Sequence, residues 1–214
     1  MAVKTRIIKI NPHRVEREKI RDIAQVLKKP GVIAYPTDTF YGLGADCFSP
    51  EEIKRIYQMK KRKAKKSIPL LIADTEEVKK IAAEIPPLFW SLSSEFWPGP
   101  LTLVLKASSL LPSELLGLTQ TIGVRLPAFS WLRELVKEAN FPLTATSANI
   151  SGEKEISHSE KIIDIFWGKV ELIVDGGDTQ RTQPSTVLDL TSEKPKILRE
   201  GAIPTSKLKR YLLI

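Results

Sequence analysis

Cysteine is almost missing from this 214-residue chain: Cys47 stands alone, so no disulfide can close within it and no all-cysteine metal site can form. A reducing, cytoplasmic setting is the expectation that follows. Histidine is nearly as scarce. His13 and His158 are isolated in polar surroundings and read as surface residues, with no His/Cys cluster at metal-binding spacing. There is no Walker-type phosphate loop, no Rossmann glycine triplet and no nucleophile elbow. No apolar run approaches the roughly 18 residues needed to span a bilayer, so no membrane partner is expected. The opening stretch MAVKTRIIKINPHRVEREK alternates apolar and polar residues and lacks the apolar core of a signal peptide. Internal repeats, low-complexity linkers and a domain boundary are absent too, and residues 1–214 read as a single domain.

What is present has the balance of an ordinary soluble globular protein: 42% hydrophobic and 27% charged residues. Thirty-three basic residues against 25 acidic ones leave a formal charge of +8, which favours an anionic partner such as a nucleotide, another phosphate compound or nucleic acid. The length fits one α/β domain. Taken in order, residues 5–10 alternate like a strand, and 14–29 put Val15, Ile20, Ile23, Ala24 and Leu27 on one helical face. Gly31 to Tyr35 is a short apolar run between Pro30 and Pro36, a buried strand that opens into Thr37, Asp38 and Thr39 and is expected to turn at Gly42 and Gly44. Ser49-Pro50-Glu51-Glu52 predicts a helix start, and Asp74 caps a helix through about Glu84. Strands are expected at 68–73, 101–106, 121–126, 142–145, 170–174, 185–190 and 195–199. Further helices are expected near 86–97, 129–139, 159–167 and 204–212. The sum is one α/β domain built on a twisted mixed β-sheet with flanking helices.

Three kinds of residue could carry chemistry. KKRKAKK, residues 60–66, packs six cations into seven positions at a helix end; lysine and arginine together offer point charges and a bidentate fork, which suits a polyphosphate. The loop TSANISG (146–152) follows a strand, and Ser147 and Asn149 are spaced to point the same way on extended backbone. Arg125 and Arg199 each interrupt an apolar strand, where a cation needs an acidic partner or a bound anion; Asp38, Asp46 and Asp189 are candidate partners.

Several segments in this order, PTDTFYGLGAD, the K-x-R of Lys60 and Arg62, WPGPLTLVL, GVRLP, TSANISG, and PSTVLDL followed by ILREGAI, resemble the YrdC-like L-threonylcarbamoyladenylate synthases over roughly residues 15–203. The resemblance implies a mixed sheet around a basic cavity and a nucleotidyltransferase. L-Threonine, bicarbonate and ATP, with Mg2+, would give threonylcarbamoyl-AMP and pyrophosphate. The product would feed a TsaD-type tRNA-threonylcarbamoyl transferase that modifies the adenosine beside the anticodon of ANN-decoding tRNA. By the same resemblance, Lys60, Arg62, Ser147 and Asn149 are the catalytic set around the nucleotide phosphates. Lys66, Thr121 and Arg199 are further ATP contacts. Thr39, Arg125, Ala145 and Ser185 bind threonine, and Mg2+ arrives on the phosphates rather than on protein ligands. Lys63 stands where the family usually has proline, and Lys66-Ser67 where it often has Lys-Pro. The chain ends soon after ILREGAI and so resembles the family's short form. Two alternatives use the same domain: a non-catalytic binder of tRNA or double-stranded RNA, and carbamoyl transfer in hydrogenase maturation within a much longer chain.

Overall fold

The computed structural model describes residues 3–62, 67–179 and 183–212; the remainder of the basic run, Lys63 to Lys66, lies outside them. Eleven strands are described: β1 (Arg6–Lys9), β2 (Ile33–Pro36), β3 (Tyr41–Gly44), β4 (Leu70–Leu71), β5 (Leu101–Lys106), β6 (Thr121–Arg125), β7 (Leu143–Thr144), β8 (Thr146–Ser147), β9 (Leu172–Asp175), β10 (Thr186–Asp189) and β11 (Lys196–Arg199). The α-helices are α1 (Arg17–Leu27), α2 (Pro50–Met59), α3 (Val78–Ile81), α4 (Pro87–Phe96), α5 (Ser113–Leu116), α6 (Ser130–Ala139), α7 (Ser159–Phe166) and α8 (Thr205–Leu212).

The strands divide between two mixed sheets, not the single sheet expected: a five-stranded one in the order β1-β9-β2-β3-β8 and a six-stranded one in the order β11-β10-β5-β6-β4-β7. The chain crosses from one to the other between β7 and β8, at Ala145. Its amide donates to the Pro69 carbonyl at 2.7 Å, and the Thr144 amide donates to Ala45 at 3.0 Å. Strands this short leave little sequence to mark the crossing, and residues 142–145 therefore read as one strand.

The apolar pattern fixes the two cores. Along β5, Leu101, Leu103 and Leu105 enter the larger core, and along β6 Ile122 and Val124 join them; the residues between face the other way. A second cluster sits between the five-stranded sheet and helices α1 and α6. Ile20, Ile23, Ala24 and Leu27 meet Trp131, Leu132, Leu135 and Val136 there, the helix stripe that the 3.6-residue period predicts.

Several boundaries differ from expectation for identifiable reasons. Gly42 and Gly44 lie inside β3, paired antiparallel with β2 through Tyr35↔Gly42 and Ile33↔Gly44, and do not form a turn. A Cβ on Gly44 would stand 2.6 Å from Cε1 of Tyr35 and about 3 Å from the Leu143 side chain, so the glycine is there for close packing. Helix α2 begins at Ser49-Pro50 as expected, but the Ser49 hydroxyl donates to the Glu52 carboxylate and caps no backbone amide. Asp74 does accept from the Glu76 amide at 2.9 Å, heading a short 3-10 turn and α3. That helix stops at Ile81 because Ala82 leaves it to bridge Ala107. Helix α5 was not foreseen; four residues are too few to show a period.

Candidate active site

Between the two sheets lies a cavity of about 650 Å³. One wall comes from the loop after β2 (Thr37, Thr39, Phe40), from Tyr41 and Gly42 of β3, and from Thr146 and Ser147 around β8. The other is the face of the six-stranded sheet opposite its leucine core: Thr102 and Val104 of β5, Thr121, Gly123 and Arg125 of β6, Ser185 and Val187 at β10, and Leu198 and Arg199 of β11. Strand alternation thus sends every second residue to the core and the ones between, polar and apolar, to the cavity. A smaller cavity of about 380 Å³ near Leu190 offers no such convergence, since its Glu84 and Lys106 pair with each other at 2.7 Å.

Arg62 reaches in from the end of α2. Its Nη2 donates to the Ser67 carbonyl at 3.1 Å and its Nη1 to Thr146 Oγ1 at 3.4 Å. The guanidinium carbon stands 5.7 Å from the ring centre of Tyr57. Burial pushes its pKa down, opposed by Tyr57, and the group stays a cation. Arg199 sits at the open rim on edge strand β11 and is exposed, which corrects the expectation of a buried cation seeking a carboxylate. It donates through Nε to the Ser185 carbonyl and through Nη2 to Ser185 Oγ, each at 3.0 Å. Loss of solvation lowers its pKa most, with Glu155 opposing and Arg125 adding to the fall.

Lys60 and Asn149, grouped with Arg62 and Ser147 on the sequence, lie behind the cavity wall and do not line it. Lys60 is only 3% exposed, and its ammonium donates to three acceptors: the Ser147 carbonyl, the Asn149 carbonyl at 2.8 Å and Asn149 Oδ1 at 3.0 Å. Burial, aided by Arg62 and opposed by Glu155, lowers its pKa to about 8. Ser147 Oγ in turn donates to Asn149 Oδ1 at 2.6 Å, and Asn149 Nδ2 to the Glu153 carbonyl at 2.6 Å. The two side chains meet as predicted, but through a tight turn, with the Asn149 amide on the Ser147 carbonyl at 2.9 Å, and not along extended backbone.

Arg125, also in the lining, is 7% exposed. Its Nε donates to the Gly99 carbonyl at 2.9 Å and its Nη1 to Thr39 Oγ1 at 3.4 Å, while Nη2 stands 2.5 Å from Oδ2 of Asp38. Of the three acidic partners considered, Asp38 is the one found. The Thr39 hydroxyl also meets Thr37 Oγ1 at 2.9 Å. Ser185 Oγ, accepting from Arg199, lies 2.9 Å from Thr102 Oγ1. Thr121 Oγ1 donates to Thr119 Oγ1 at 2.9 Å.

The cavity therefore gathers Arg62, Thr121, Ser147, Arg199, Thr39, Arg125, Ala145 and Ser185 from six separated segments. Lys60 and Asn149 brace it from behind, and Lys66 lies outside the described residues. Thr102 and Glu155 are among the lining residues that were missed. Thr102 is the one hydroxyl in the apolar run LTLVL and could have been noticed on that ground. Glu155 belongs to a loop without periodicity and gave no signal. The histidines do not enter. His158 is exposed but not isolated, its Nδ1 being 2.8 Å from Asp178, and the His13 ring packs edge-on against Phe129.

Fold and cavity define a mixed α/β protein whose two sheets enclose an arginine-rich, hydroxyl-lined cavity. Residues 25–201 match the family model described as telomere recombination, Sua5/YciO/YrdC, and the chain belongs to that family. It is 38% identical over 199 residues to the threonylcarbamoyl-AMP synthase of Pyrococcus abyssi, covering 93% of this chain and 58% of that protein. To the putative threonylcarbamoyl-AMP synthase of Methanocaldococcus jannaschii it is 32% identical over 214 residues, covering 98% of this chain and 100% of that one. The crystal structure of P. abyssi Sua5 complexed with L-threonine superposes with a TM-score of 0.89 at 37% identity, over 96% of this chain and 60% of that one. The chain thus spans less than two thirds of the length of its Pyrococcus relative.

Proposed function

We propose that this chain is an L-threonylcarbamoyl-AMP synthase, converting L-threonine, bicarbonate and ATP into threonylcarbamoyl-AMP and pyrophosphate. The observation that carries the reading is the single cavity in which three arginines and a row of hydroxyls converge from both sheets. Family membership and the names of the relatives support it.

In this reading the amine nitrogen of threonine bonds to the carbon of bicarbonate, water leaves, and an N-carboxylate forms. A carboxylate oxygen then attacks the α-phosphorus of ATP, and the bond to the departing pyrophosphate breaks. No enzyme nucleophile is required; the work is positioning and charge neutralisation. Arg125 takes the threonine carboxylate, Thr39 and Ser185 orient the amino acid, and Ala145 leaves room at the sheet crossing. Arg62 and Arg199 neutralise phosphate charge, with Thr121 and Ser147 as hydroxyl contacts. Lys60 and Asn149 act through Ser147, which they hold in place, and so are positioning residues rather than direct phosphate ligands. Lys66 remains a candidate ATP contact by family resemblance alone. Mg2+ would enter on the ATP phosphates, as the family resemblance implies; among the described residues no group of three or more His, Cys, Asp or Glu could hold a metal. Among them too, no helix is long and apolar enough to cross a membrane. The product is a mixed anhydride that a tRNA-threonylcarbamoyl transferase in the cytoplasm would consume.

Pyrophosphate release from ATP tests the reading. It should require both L-threonine and bicarbonate, and L-serine should support it much more weakly. Release without threonine, or none from the folded protein with Mg2+, would rule the reading out.

A further inference from the structure

Resting on that reading, we propose that Asp38 sorts the amino acid from the polyphosphate: it makes the Arg125 subsite of the cavity a neutral pair that accepts an amino-acid zwitterion and turns polyphosphate away. Asp38 is 8% exposed and its Oδ2 lies 2.5 Å from Arg125 Nη2. The pair is close but not aligned as a hydrogen bond: among the described residues, neither oxygen of Asp38 nor Nη2 of Arg125 has a hydrogen-bonding partner. A guanidinium carries five N–H donors. Nε and Nη1 each spend one, on Gly99 and Thr39, which leaves Nη2 with protons to offer a ligand while its charge is already balanced.

The rest of the described lining carries more cations than anions. Arg62 and Arg199 belong to it with Lys60 behind, and among the described residues Glu155 is the one carboxylate in the lining. A polyphosphate carries several negative charges in little volume and gains most where cations are in excess. At Arg125 it would also meet the buried carboxylate of Asp38, a repulsive element that penalises the wrong ligand. A zwitterion brings no net charge and fits a neutral pair. Asp38 thus acts through Arg125 as a positioning and selectivity residue, without touching the reacting atoms.

The test is calorimetric titration of L-threonine with and without saturating pyrophosphate, in the wild type and in Asp38→Asn. In the wild type pyrophosphate should change the threonine Kd less than about twofold. In Asp38→Asn, where Arg125 becomes an uncompensated cation, pyrophosphate should occupy that subsite and raise the threonine Kd about fivefold or more. A correctly folded variant that still shows less than a twofold change overturns the proposal. Should Asp38→Asn not fold, Arg125→Gln and the double variant Asp38→Asn/Arg125→Gln replace it. Pyrophosphate should bind the double variant about fivefold more tightly than Arg125→Gln, because only the single variant keeps the repelling carboxylate. Equal affinities overturn the proposal as well. A wild type that binds neither threonine nor an ATP analogue would fail the synthase reading and take this one with it. A wild type that binds both, with no effect of Asp38, fails this proposal alone.

Discussion

Arg62 and Lys60 sit two residues apart on the same helix end, yet the structure gives them different work. Arg62 reaches the cavity, so Arg62→Ala should abolish ATP-dependent pyrophosphate release, by about a hundredfold or more as befits removal of a charge contact in the transition state, while the urea midpoint stays near that of the wild type. Activity within a few-fold of wild type would remove Arg62 from the phosphate site. Lys60 faces inward, and its effect belongs to stability. Its pKa is lowered to about 8 in the fold from an ordinary 10.5. Between those values the unfolded chain holds more protons than the folded one, so the contribution of this group to stability rises with pH across that window. Below about 8 both states are protonated, and burying the ammonium carries its full desolvation cost against the three acceptors that hold it. The stability difference between wild type and Lys60→Met, measured by urea denaturation at pH 7, 9 and 10.5, should therefore shift in favour of the wild type as pH rises. A difference that stays flat would show that Lys60 keeps its ordinary pKa.

At the scale of elements, the hairpin β2–β3 places Thr37 and Thr39, and its glycines decide how closely it packs. Gly44→Ala puts a methyl into the Tyr35 ring and the Leu143 side chain, which costs about 1–3 kcal/mol as overpacking does elsewhere. Denaturation would measure that loss, and a variant as stable as wild type would mean the sheets can separate there freely. The same glycines mark the limit of what the sequence reveals. Gly42 and Gly44 follow a polar triplet and read as a turn, because sequence shows a missing side chain without showing what takes its space. Where the pattern is carried by many side chains, as in the stripe of α1 or the alternation of β5 and β6, the element was legible. The strand crossing at Ala145 was not, since β7 and β8 have two residues each and pairing partners far away in sequence select them. The site shows the same division. Arg125 was legible because an arginine in an apolar strand demands a partner, and Asp38 was among those named. Lys60 was read as a ligand contact because a basic run shows charge but not direction, and only the three carbonyl acceptors reveal that its ammonium turns inward.

For the whole molecule, the proposed function asks how a chain of charge +8 would hold a polyphosphate and an amino acid side by side without exchanging them. The formal charge is spread over the surface, where salt screens it within about 10 Å at 0.1 M. The cavity concentrates what matters: Arg125 is balanced by Asp38, while the rest of the described lining sets Arg62 and Arg199 against Glu155. Binding to excess charge depends on the field of the site and falls with ionic strength, whereas binding a zwitterion to a buried neutral pair changes little. Raising KCl from about 0.05 to 0.5 M should therefore weaken a non-hydrolysable ATP analogue about fivefold or more and shift L-threonine less than about twofold. Calorimetry on the full chain measures both. Equal salt sensitivity of the two ligands would mean that Arg125 meets its ligand as a free cation, and that the balancing of Arg125 by Asp38 does not govern binding.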